Sequence, residues 1–238
     1  MSLIKRATRH FVKERLSPHH PREQTIKGVV SKQYIKRFIP DDPIIVEAGA
    51  HLGWDTIEMS TLWSKGIIHA FEPVPDLYGH LQENTNGLEN VRLYPCALSD
   101  KTGIANLFVS SGSSDASSSL LRPKEHLSEH PTVYFEEAID VPTITLNQWA
   151  KENRVEKVDL LWLDMQGYEL AMLRASCELL RTVSAIYTEV SLKKLYEGTP
   201  LYSEVREWCE EQGFEVEREE LAWADAGNVL FVRNKNVF

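Results

Sequence analysis

Residues 44–53 read IIVEAGAHLG, a short apolar run that closes in a turn carrying Gly49 and Gly53. An apolar run bounded by glycines predicts a buried strand over Ile44–Ala48, and residues 53–64 behind it have helical spacing. Working outward, the same unit recurs. Ile67–Phe71 predicts a second strand, 76–86 a helix, and Val91–Pro95 a third strand. Residues 104–109 and 139–145 predict added strands, and 146–153 a short helix. Val158–Leu163 is a continuous apolar strand, followed by a helix over 168–181, a strand over 185–190 and a helix over 203–212. Strands alternating with helices build a parallel sheet covered on both faces. The exception is the last pair, 214–219 and 228–232. The turn at 224–227 is too short for a crossover helix, so these two strands are antiparallel. The predicted fold class is α/β, mostly parallel, with its last strand reversed.

Composition agrees. Of 238 residues, 42% are hydrophobic and 26% charged, enough for a core and too little for wholesale disorder. Cys96, Cys177 and Cys209 are far apart and form no CxxC pair, which excludes a disulfide framework and a zinc ribbon. With no apolar leader at the N-terminus and no membrane-length apolar run, a cytoplasmic protein without a transmembrane segment is expected. The net charge of −9 hides a split: residues 1–40 carry +8 and residues 41–238 carry −17. The breaker Pro40-Asp41-Asp42-Pro43 divides a basic helical arm, 1–40, from a body, 41–238. Helices are expected over 3–16 and 25–38, separated by the prolines of 17–21. An acidic body argues against nucleic acid as a partner. The arm fits a contact with a second copy of the chain, as in a homo-oligomer, or a lid over that neighbour's site, better than a nucleic-acid contact.

In open α/β sheets ligands bind beyond the C-terminal strand ends. After the first strand comes Glu47-Ala48-Gly49-Ala50-His51-Leu52-Gly53. A dinucleotide site would place glycines where His51 and Trp54 stand, so the pyrophosphate cradle fails and a nicotinamide-dependent reductase is disfavoured. The acidic-x-Gly-x-x-x-Gly pattern suits a ligand with a cationic amino-acid end; incidental glycines in a plain strand–turn–helix are the alternative. After the second strand, Glu72, stiffened by Pro73, has the chemistry to accept both ribose hydroxyls, or else to sit at a helix dipole. After the third come Cys96-Ala97-Leu98-Ser99-Asp100, small and apolar residues suited to an adenine. Asp164 ends the strand over 158–163 and Glu189 ends the next, so two carboxylates stand at neighbouring strand ends. They could share a proton, bind a cation or act as a general base; for Asp164 a helix cap is the alternative.

Four blocks taken together, EAGAHLG (47–53), AFEP (70–73), ALSD (97–100) and LDMQGYE (163–169), resemble the FkbM family of S-adenosylmethionine-dependent methyltransferases. The resemblance spans roughly 44–232 and implies the class I methyltransferase fold, with a seven-stranded sheet and an antiparallel last strand. It implies that Glu47, Gly49, Ala50, His51 and Gly53 serve the methionine end of S-adenosylmethionine, and Glu72 with Pro73 the ribose. Ala97, Leu98 and Asp100 would lie near the adenine, and Asp164 near the transferable methyl. One departure stands out: Met165-Gln166 replaces a Val-Glu pair common in the family.

The expected function is O-methylation of a hydroxyl on a sugar, glycan or small natural product, with Asp164 or Glu189 as catalytic base. A second version makes the same two residues ligands of Mg2+, which would acidify the hydroxyl. The rival from another class is an inactive methyltransferase-like binding module acting through its arm. Residues 110–119, SSGSSDASSS, read as a flexible loop that with the region to 140 could form a lid. His126 and His130 lie in that region and could approach the site from it; the plainer reading makes them solvated surface histidines.

Overall fold

The computed structural model describes residues 30–234. The helix expected over 3–16 and the start of that over 25–38 lie outside those residues. In chain order the strands are β1 (Ile44–Ala48), β2 (Ile67–Phe71), β3 (Val91–Tyr94), β4 (Ala97–Leu98), β5 (Gly103–Gly112), β6 (Val133–Ile144), β7 (Leu160–Leu163), β8 (Ala185–Ser191), β9 (Phe214–Glu220) and β10 (Ala226–Arg233). The helices are α1 (Lys32–Ile35), α2 (Trp54–Leu62), α3 (Pro75–Asn84), α4 (His126–Glu129), α5 (Leu146–Asn153), α6 (Glu169–Arg174), α7 (Cys177–Leu180) and α8 (Tyr202–Glu211).

Seven strands form one sheet in the order β3-β2-β1-β7-β8-β10-β9. β1 lies between β2 and β7, parallel to both, with Val46 opposite His69 on one side and Leu161 on the other. Such a strand is covered on both faces, which is why its residues read as an unbroken apolar run. Side chains alternate across it. Val46 and Ala48 join Leu161, Leu163 and Ile186 under α5, α6 and α8, in a core that includes Trp149, Met172 and Val205. Ile45 joins Leu160, Trp162, Tyr187 and Leu230 on the opposite face, under Met59 of α2 and under Trp63. β10 is antiparallel to β8 and β9, as the short turn required.

The opposite-face core also contains Val30, Ile35 and Ile39. Residues 30–39, assigned to the arm on sequence, are therefore built into the body. Lys32 clamps them there with 2.6 Å ion pairs to Asp55 and Glu58 of α2, and the Val30 amide donates to Glu220.

Two further differences have local causes. The strands expected over 104–109 and 139–145 are longer, because β5 and β6 pair with each other from Gly103 opposite Thr143 to Gly112 opposite Val133. With β4 they make a separate three-stranded sheet whose Leu107 and Val141 pack on Val74 and Leu77. The helix expected over 168–181 breaks into α6 and α7 at Ala175-Ser176, where the buried Ser176 hydroxyl bonds back to the Met172 carbonyl.

Candidate active site

The C-terminal ends of β1, β2 and β7 converge on Gly49. Its φ is +85°, and a Cβ there would lie 1.9 Å from the Asp164 carbonyl oxygen, so only glycine fits. The Gly49 and Ala50 amides both donate to the Phe71 carbonyl, and the Asp164 amide to that of Ala48. The turn is thus stitched to both neighbouring strands. Gly53, at φ +82°, opens α2.

Glu72 is buried, and each carboxylate oxygen accepts a main-chain N–H at 2.8 Å: Oε2 from His51, Oε1 from Val74. Burial pushes its pKa up, against the pull of those two bonds. Glu72 is a brace for two loops as well as a wall of the cleft, and each oxygen retains acceptor capacity. Glu169, four residues into the LDMQGYE block from Met165, plays the same bracing part: its Oε1 accepts from the Met165 and Gly167 amides, and burial raises its pKa to about 7.

Glu47 points to the α2 face instead, where its carboxylate accepts the Thr56 hydroxyl at 2.5 Å. Burial, aided by the Asp55 charge, raises it to about 8. Asp100 accepts the Tyr168 hydroxyl at 2.7 Å. Asp164 is exposed at the rim. The Gln166 amide nitrogen donates at 2.8 Å to Asp164 and at 2.8 Å to Glu189, linking two carboxylates that stand on adjacent strand ends. Glu189 is raised well above the usual carboxylate range by burial and by the Asp164 charge.

Glu72, Asp164 and Gln166 border a cleft of about 870 Å³, open solvent included. Of the residues expected from sequence, Gly49, Ala50, His51, Glu72, Pro73, Ala97, Leu98 and Asp164 line it. Glu47, Gly53, Asp100 and Glu189 stand behind that lining. The serine run contributes Asp115, Ala116, Ser118 and Ser119 to the opposite wall. It is tied down rather than free: Asp115 meets the His51 ring at 2.9 Å, Ser119 donates to the Gln166 carbonyl, and Tyr196 donates to that of Ser117. Sequence reasoning missed Trp54, Gln166 and Tyr168 as cleft residues. For Tyr168 and Gln166 the available signal was their place just past the strand end, and for Trp54 its place directly after Gly53 in the turn that follows the first strand.

His126 is a correction. It is 3% exposed, with its ring among His130, Phe135 and Tyr196, and burial lowers its pKa. The aromatic neighbours of α4 pull it inward. His130 is half-exposed and meets Asp225 at 2.7 Å. The Mg2+ reading also lacks its ligands. Among the described residues no group of three or more His, Cys, Asp or Glu side chains is placed to hold an ion. Between Asp164 and Glu189 stands an amide N–H donor, which cannot coordinate a cation.

A sheet of order β3-β2-β1-β7-β8-β10-β9 with β10 reversed, and a glycine turn at the end of β1, defines a class I methyltransferase. The chain belongs to the FkbM methyltransferase family, whose domain model, Methyltransferase FkbM domain, matches residues 47–216. It is 35% identical over 182 residues to the 2-O-methyltransferase NoeI of Sinorhizobium fredii, covering 74% of this chain and 75% of that protein. It is 24% identical to the methyltransferase sdnD of Sordaria araneosa, covering 78% and 79% of the two chains. Among solved structures it is similar to a fibrillarin pre-rRNA processing protein of Methanococcus jannaschii, at 16% identity and a TM-score of 0.49, covering 81% and 67%. The protein is thus an S-adenosylmethionine-dependent methyltransferase, and the matches favour this over an inactive module of the same fold. Among the described residues no helix is long and apolar enough to cross a membrane.

The cleft fits that cosubstrate. Leu77, Leu98 and Leu107 offer an apolar wall, and the Trp54 indole N–H is buried without a partner.

Proposed function

We propose that this methyltransferase modifies a hydroxyl group of a sugar, a glycan or a small hydroxylated natural product. The carrying observation is the Asp164–Glu189 pair, two carboxylates joined through one amide at adjacent strand ends beside the cleft. A raised Glu189 is a stronger base than an ordinary carboxylate, which is what removal of a hydroxyl proton calls for. The name of the relative NoeI, a 2-O-methyltransferase, supports the same acceptor chemistry. The net charge of −17 on residues 41–238 weighs against a nucleic-acid acceptor.

In this reading Gly49, Ala50, His51 and Gly53 form the turn around the methionine end, with the Glu47 carboxylate behind it. Glu72 and Pro73 flank the ribose, and Ala97, Leu98 and Asp100 the adenine, with Asp100 acting through Tyr168. When bound, S-adenosylmethionine supplies an already activated methyl group. The chain therefore has to orient the acceptor, take its proton and keep water out. Orientation of this kind is worth about 7–11 kcal/mol of barrier. Asp164 and Glu189 receive the proton, and the Asp115–Ser119 wall screens the cleft.

The test is a screen of hydroxylated metabolites and glycans with methyl-labelled cosubstrate, run with and without a chelator. Label on an acceptor oxygen, unchanged by chelator, is the expected result. Transfer to nitrogen or carbon acceptors alone would overturn the hydroxyl assignment.

A further inference from the structure

Gln166 is the most fully engaged side chain at the edge of the sheet. A primary amide has two N–H donors and one carbonyl acceptor. Here one nitrogen reaches Asp164 Oδ1 and Glu189 Oε2, both at 2.8 Å, and its Oε1 lies 3.2 Å from the Tyr196 hydroxyl, which shares its one proton with the nearer Ser117 carbonyl at 2.7 Å. The main chain is fixed as well. Gln166 has φ +52°, Gly167 follows at φ +95°, and the Gln166 carbonyl accepts the Ser119 hydroxyl at 2.9 Å. A non-glycine residue in the left-handed region persists where its surroundings over-determine it. The bonds to Asp164, Glu189 and Ser119 do so.

The consequence is geometric. Two carboxylate oxygens bonded to one nitrogen cannot lie further apart than two hydrogen bonds. They come from separate strands: Asp164 directly follows β7, and Glu189 lies in β8. The linking group is neutral, so it holds the charges together without cancelling either. Like charges so held titrate as one unit.

We propose that Gln166 is a positioning residue that couples Asp164 and Glu189 into a single proton acceptor for the transfer reaction. This rests on the hydroxyl reading given above. The acceptor O–H bond breaks and its proton passes to the carboxylate pair. The electron pair left on oxygen takes the methyl group as the bond to sulfur breaks, and the proton returns to water after turnover. The groups that face Glu189 and set its titration are Asp164 beyond β7, Glu169 in α6 and Asp225 before β10. Tyr196 feels the same charges from the 192–200 segment. A glutamate at position 166 would add a carboxylate, remove both donors and strengthen the repulsion. An alanine would release the pair.

Two measurements on the full chain decide it. The first is a carbon-13 carboxyl titration of Asp164 and Glu189 by NMR in the parent, Gln166→Ala and Gln166→Glu proteins, which needs no acceptor. Two-step coupled curves in the parent that separate into independent ones in Gln166→Ala are expected. Independent curves in the parent would overturn the proposal. The second is the pH profile of labelled-methyl transfer. The acid limb of kcat should move up by about one pH unit in Gln166→Glu, with kcat at neutral pH down about 10–100-fold. Cosubstrate Kd by calorimetry should stay within about threefold, and Gln166→Asn should fail to restore kcat because its shorter side chain cannot span both strands. An unmoved acid limb, or a Kd loss as large as the kcat loss, would overturn the coupling role. If the parent binds the cosubstrate but methylates no hydroxyl, the hydroxyl reading fails, while the NMR titration still decides whether Gln166 couples the pair.

Discussion

The carboxylates at the sheet edge fall into two kinds. Glu72 and Glu169 take their hydrogen bonds from main-chain amides, His51 and Val74 for the one, Met165 and Gly167 for the other. Asp164 and Glu189 are joined through a single side-chain amide. Main-chain bonds fix a loop, and the carboxylate that takes them is part of the frame. Side-chain bonds fix only a rotamer, and the groups that make them remain free to exchange protons. Both kinds are pushed toward the protonated form by burial where they are buried. Burial alone therefore does not distinguish frame from chemistry; the bonding partner does.

Breaking the frame outright should give the largest effect. Gly49→Ala puts a methyl group 1.9 Å from a main-chain carbonyl, in a conformation that disfavours any side chain. A loss of about 4 kcal/mol or more in denaturant unfolding is expected. Gly53→Ala should cost clearly less, because its nearest obstacle is the tip of the Leu81 side chain. Equal losses at the two sites would mean the Gly49 turn is not the keystone.

Asp164→Asn and Glu189→Gln attack the other kind. Each should lower kcat by about 10²–10³-fold, and Glu189→Gln, which removes a buried carboxylate held above its ordinary range, should gain stability at alkaline pH. Full turnover in both variants, with cosubstrate still bound, would remove the proton-acceptor role.

Glu47 tests burial without main-chain bonds. Its folded value of about 8 lies above the ordinary 4.5, so the native state binds the extra proton. The associated stability is present below pH 4.5 and is lost as pH rises through 8. Glu47→Gln cannot ionise and should exceed the parent by about 5 kcal/mol at pH 9, and by little at pH 4. A pH-independent difference in melting curves would contradict this.

Glu72→Gln sharpens the comparison from the frame side. One amide oxygen cannot satisfy two amides on opposite oxygens, so about 1–3 kcal/mol of stability should go. Cosubstrate affinity should fall with it, as read by calorimetry. The smallest effect belongs to the half-exposed Asp115, whose contact with His51 ties the serine run to the glycine turn. Asp115→Asn should change stability by less than about 1 kcal/mol and cosubstrate KM a few-fold.

Much of this molecule was legible before any coordinates. Continuous apolar runs gave the inner strands, since a strand covered on both faces has no polar side to show. Gly49 and Glu72 were found from their places at strand ends. Gln166 was visible only as a departure, because its partners are 2 and 23 residues away in the chain and meet it through the β7–β8 pairing. Residues 30–39 were separated from the body at Pro40, although Val30, Ile35 and Ile39 belong to its core. A proline pair marks a bend in the chain, and a bend says nothing about what the preceding residues pack against.

The sequence by itself determined the alternation of strands and helices, the reversed final strand and the tight turn at Gly49. All of these follow from local rules of periodicity, loop length and allowed φ. The tertiary structure alone decided strand order, the separate β4–β6–β5 sheet, and the division of the acids into those held by main-chain amides and the pair joined through the Gln166 amide. Those depend on which distant groups become neighbours, and a carboxylate's role is set by what donates to it.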